Sequence, residues 1–120
     1  MKKMACIALI LASGCRGYSA RVCGLNITGK SPRAVGRAVE ATLQVVGSEP
    51  EQCTVLHGWN MDLRTDAQAD FLEGSGKRGH TSHTKKHMWA LEFDDEAVMH
   101  EVKHAVELEL TGQSGHKEEL

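Results

Sequence analysis

The sequence predicts a small α+β domain whose elements follow in the order strand, helix, strand, strand, helix. Three observations carry that prediction. Two stretches, TVLHGWNMDLR and HMWALEF, alternate in their apolar residues with a period of two, the mark of half-buried strands. A segment beginning SPRAVGRAVE offers a capping serine, a proline in the first turn and an apolar stripe at helical spacing. The last long segment, opening at Asp94 or Asp95 and running to about Leu110, repeats the helical period. With 120 residues the chain has room for one domain and one modest core.

Taken in order, residues 1–14 read as an address rather than as structure. Lys2 and Lys3 give a positive start, Met4 to Ala12 (MACIALILA) an apolar run too short to span a bilayer, and Ser13-Gly14-Cys15 follow directly. This order resembles a bacterial lipoprotein signal, with Ala12 where leucine is commonest. The resemblance implies cleavage before Cys15, lipid on that cysteine, and a mature domain 15–120 anchored to the membrane on the periplasmic or extracellular side. The alternatives are an ordinary cleaved signal and a buried N-terminal strand. Loss of Lys2 and Lys3 takes the formal charge from −2 to −4. Two cysteines then remain beside the lipidated one, Cys23 and Cys53. In an oxidising compartment they pair most simply as a disulfide closing a loop of roughly 30 residues, worth on the order of 3 kcal/mol. Two buried free thiols are the alternative.

In the mature part, residues 20–28 (ARVCGLNIT) form the first strand, ending at Gly29. Ser31 caps the first helix, Val35, Val39, Leu43 and Val46 make its stripe, and Gly47 ends it. Thr54 to Arg64 form the second strand, with Val55, His57, Trp59, Met61 and Leu63 on one face. Asp66 to Leu72 form a short helical turn closed by Gly74, and GSGKRGHTSHTKKH reads as a polar, basic loop or flap. Residues 87–93 form the third strand, with His87, Trp89, Leu91 and Phe93 on one side. Large rings are few, so the core leans on Val, Leu, Ile, Ala and Met. The small negative charge does not point to nucleic acid or an anionic membrane surface as the main partner.

The last helix contains His100-Glu101-Val102-Lys103-His104. Val98, Val102, Ala105 and Val106 share one side, and His100, His104 and Glu107 the other. Two imidazoles one turn apart can reach a single ion at about 2.0 to 2.1 Å. A glutamate between them can take a proton from water during attack on a carbonyl and pass it to a leaving amine.

In this His-Glu-x-x-His helix, preceded by an apolar strand, the chain resembles the zincin metallopeptidases. The resemblance covers residues 20–110 in element order and five residues in motif. It implies a zincin-like domain with Zn2+ as cofactor, His100 and His104 as ligands, Glu101 as general base and then acid, and a peptide or protein substrate pairing with HMWALEF as the edge strand. Zincins complete the site with a third downstream ligand, often a histidine six positions past the second, and here that position is Leu110. His116 is the first choice. Glu107, His57, His80, His83 and His87 are the others. The function expected is zinc-dependent peptide-bond hydrolysis, a reaction that needs neither ATP nor reductant outside the cytoplasm.

Four competing readings remain. The histidine pair can be a solvated helix face, or part of a non-catalytic metal-binding or protein-interaction lipoprotein in which His80, His83 and His87 take part. Residues 24–31, GLNITGKS, satisfy the spacing of a phosphate-binding loop, in which Lys30 would reach the phosphates. The bland counterpart is a turn, Thr28-Gly29-Lys30, leading into a capped helix. Asn26-Ile27-Thr28 also matches a glycosylation acceptor, of little force in a bacterial host.

Overall fold

The computed structural model describes residues 11–12, 17–47 and 50–111. The predicted signal lies outside them apart from Leu11 and Ala12, as do Cys15 and His116. The elements are β1 (Leu11–Ala12), β2 (Tyr18–Val22), β3 (Leu25–Gly29), α1 (Pro32–Val46), α2 (Pro50–Val55), β4 (Asn60–Arg64), α3 (Asp66–Glu73), β5 (Gly79–Ser82), β6 (His87–Leu91) and α4 (Asp95–Thr111). The α+β class holds, and the strands form one mixed sheet in the order β1-β2-β3-β4-β6-β5. β3, β4 and β6 run parallel, while β2 and β5 are antiparallel to their neighbours.

Four expectations of local structure need correction. The single strand at residues 20–28 is a hairpin. Cys23 and Gly24 both have positive φ, 52° and 81°, as a two-residue loop matching the strand twist requires. A Cβ on Gly24 would also stand 2.7 Å from His57 Cα. The second strand starts at Asn60 rather than Thr54, because two turns intervene: His57 N–H donates to the Thr54 carbonyl at 3.2 Å and Trp59 N–H to the Leu56 carbonyl at 3.0 Å. The basic loop contains a strand, β5. And HMWALEF is not at the sheet edge, for β6 is paired on both sides and β5 takes the edge. The order strand-helix-strand-strand-helix is thereby extended by β1, by a second hairpin strand, by α2 and by β5, and the short helical turn expected from Asp66 is α3.

α1 and α4 pack together on one face of the sheet. Beneath them Val22, Leu25, Ile27, Met61, Leu63, Met88 and Ala90 meet Val35, Ala38, Val98, Val102 and Ala105. Full burial of such a Val, Leu, Ile or Met side chain is worth about 1.5 to 3 kcal/mol. α1 starts where its sequence dictates: Ser31 Oγ accepts from the amides of Arg33 and Ala34 at 3.2 and 3.3 Å. Trp89 alternates to the other face, where Arg64 lies 4.8 Å over its ring. Cys23 and Cys53 are disulfide-bonded, tying the β2–β3 turn to α2.

Candidate functional site

The site grows from the reversal after β6. Phe93 takes a φ of 61°, and Asp94 Oδ1 then accepts from the Ala97 amide at 3.1 Å, capping α4. The helix lays Val98, Val102 and Ala105 on the core and brings Glu101 and His104 to its border, where they are 5 % and 6 % exposed. A solvated helix face is therefore ruled out for Glu101 and His104. His100 and Glu107 are exposed.

The Nε2 atoms of His100 and His104 approach to 3.0 Å, with the rings at 87°. Two nitrogens bound tetrahedrally to one zinc ion at about 2.0 to 2.1 Å would lie about 3.3 Å apart, so this pair needs to open by only a few tenths of an ångström. The donor chemistry fits as well, since neutral imidazole nitrogens suit zinc. A third ligand is not found with them: among the described residues no group of three His, Cys, Asp or Glu could hold a metal.

Beside the pair lies a cleft of about 370 Å³, lined by Gly76, Arg78, Gly79, Glu96, Ala97, His100 and Glu101. β5 forms one wall. Thr81, fully buried, donates its hydroxyl to Glu101 Oε1 at 2.5 Å, and a Cβ on Gly79 would meet Glu101 Oε2 at 2.8 Å. At the mouth Arg78 donates two hydrogen bonds to Asp94, at 2.8 and 2.7 Å, and lies 3.5 Å from Glu96. The hydrogen bonds from Arg78 hold the Asp94 carboxyl below the usual carboxylate range.

The other candidate ligands are dispersed. His80 is exposed on β5, on the face opposite Thr81. His83 stacks parallel to Trp59 with centroids 6.3 Å apart. His87 is half-buried on β6 opposite Asn60 and Ser82, and burial pushes its pKa down. His57 is exposed in the turn before β4. GLNITGKS is also resolved: residues 25–29 are strand β3, paired on both sides, and Ser31 occupies amides of the first helical turn, so no phosphate-cradling loop forms there.

Sequence reasoning missed Thr81, Gly79 and Arg78. Their segment, rich in glycine and lysine, carries the composition of a loop, and within β5 the one β-branched residue is Thr81. Comparison with family models, curated proteins and solved structures finds no match to this chain.

Proposed function

We propose that the protein is a zinc-dependent peptidase, lipid-anchored through Cys15 outside the cytoplasm, with His100 and His104 as metal ligands and Glu101 as general base. The observation that carries this reading is the convergence of two imidazole nitrogens to 3.0 Å beside a buried carboxylate that lines a cleft under an edge strand. Zinc at such a site supplies a Lewis acid for the scissile carbonyl and lowers the pKa of water to about 7. Glu101 does the proton work. It accepts a proton from the attacking water and returns it to the departing amine nitrogen, so the carboxylate ends as it began. β5, with one edge unpaired among the described residues, suits an extended peptide, which would add as a further strand and bring its backbone past Glu101.

His116 is the proposed third ligand. The seven residues from His104 to Thr111 cover about 10 Å of helix, and the next five span up to about 17 Å when extended, so the tail is long enough to return. A purely metal-binding lipoprotein would need the histidines alone. The hydrogen-bonded, cleft-lining Glu101 is what favours hydrolysis over that alternative.

The test is metal content by elemental mass spectrometry together with peptide hydrolysis. Near one zinc per chain is expected, lost in His100→Ala and in His116→Ala. Glu101→Gln should keep the metal and lose about 10²- to 10⁴-fold in kcat. A chain that takes up no zinc when zinc is supplied ends the peptidase reading.

A further inference from the structure

A glutamate has three side-chain torsions with which to turn away from a cleft, and holding one orientation costs conformational entropy. β5 removes that freedom from two sides. The Thr81 hydroxyl donates its one proton to Glu101 Oε1 at 2.5 Å and also lies 3.3 Å from the Glu101 carbonyl oxygen, so the strand is bonded to the side chain and seated against the backbone of one helical residue. Gly79 stands two residues earlier, on the same face of the strand. A methyl there would sit 2.8 Å from Oε2 and 3.0 Å from Cγ of Glu101. Gly79 and Glu101 both line the cleft, and Oε2 is the carboxylate oxygen beside Gly79.

We infer that β5 is a built seat for the Glu101 carboxylate, in which Thr81 is a positioning residue that fixes Oε1 and so aims Oε2 into the cleft. This role rests on the peptidase reading. Gly79 supplies the space and Thr81 the bond. Valine at position 81 keeps the shape of threonine but has no donor, whereas serine keeps the donor. Gly79→Ala is a less clean probe, because its methyl would also stand 2.9 Å from the Trp89 carbonyl oxygen.

The experiment uses the full, zinc-supplied chain and follows peptide hydrolysis under steady-state conditions, with zinc content measured in parallel. Thr81→Val should lower kcat about 10- to 100-fold while KM moves by less than about twofold. Thr81→Ser should restore kcat to within about fivefold of wild type, and neither variant should lose zinc. In a Glu101→Gln background Thr81→Val should have no further effect. Unchanged kcat in Thr81→Val, or an equal loss in Thr81→Ser, overturns the inference. If wild type and Glu101→Gln are equally inactive, the peptidase reading is what fails, and the seat is judged by denaturant unfolding of Thr81→Val, Glu101→Ala and the double variant. Non-additivity of about threefold or more in the unfolding constant then supports the seat, and additivity overturns it.

Discussion

Single histidines of this chain differ in what their surroundings ask of them. His100 and His104 are turned toward each other, while His87 is half-buried in β6. Burial lowers the His87 pKa most; the charge of Asp62 pulls it up, and those of Arg64 and Lys85 push it further down. The folded pKa thus lies below the unfolded value of about 6.5. The native state prefers the neutral ring, so this contribution is intact well above that value and is lost as pH falls through it toward the folded pKa. Urea unfolding between pH 7 and pH 5 should show stability declining, and His87→Gln should flatten the decline. An unchanged slope would assign it to another group. Asp94 and Glu109 act at lower pH. For Glu109, burial alone would raise the carboxyl, but the bonds from Lys86 and Trp59 together hold it below its usual range. With folded pKa values depressed, both carboxylates stabilise the protein above about pH 4, and that stabilisation is lost as pH falls through their folded values.

Among the elements, α4 is the one on which the site depends, and the β5–β6 segment fastens it at three points. Arg78 binds Asp94 at its start, Thr81 binds Glu101 in its middle, and Lys86 binds Glu109 near its end, where Trp59 Nε1 also donates to Glu109 at 2.8 Å. Asp94→Ala removes the cap as well as the Arg78 contact. The cap alone should cost about 1 kcal/mol, and the exposed Arg78 pair should add little, which equilibrium urea unfolding can measure. These fastenings also mark how far the sequence could be read. α1 is legible because its serine, proline, stripe and closing glycine are local signals, and α4 because its period is sustained over four turns. β5 is four residues long and owes its existence to β6 and α4, not to its own composition. The strand expected from Thr54 fails for a related reason. Alternation in Val55, His57 and Trp59 is overridden by turns around Gly58 and by the bond from Cys53 to Cys23. At the site, the His-Glu-x-x-His spacing was visible in the letters. Thr81, twenty residues from Glu101, becomes its neighbour only through the sheet.

For the molecule as a whole, the Cys23–Cys53 disulfide is a covalent constraint outside the core. It closes a loop of 30 residues, and reduction should cost on the order of 3 kcal/mol, or roughly 10 to 20 °C in Tm for a domain of this size. Calorimetry with and without reductant checks this, with a Cys23→Ser/Cys53→Ser chain as the control. The bridge also alters the route by which the sheet is assembled. β3 and β4 are parallel neighbours, and Asn26 meets Asn60 across 34 residues of chain. Through the sulfurs the path is three residues from Asn26 to Cys23 and seven from Cys53 to Asn60, ten in all. Pairings between distant residues are the slow step in forming sheets of this kind, because loop closure comes before any contact repays it. An oxidised chain therefore starts its search with the central parallel pair almost local, and should refold faster than the reduced one as well as hold its fold to higher temperature.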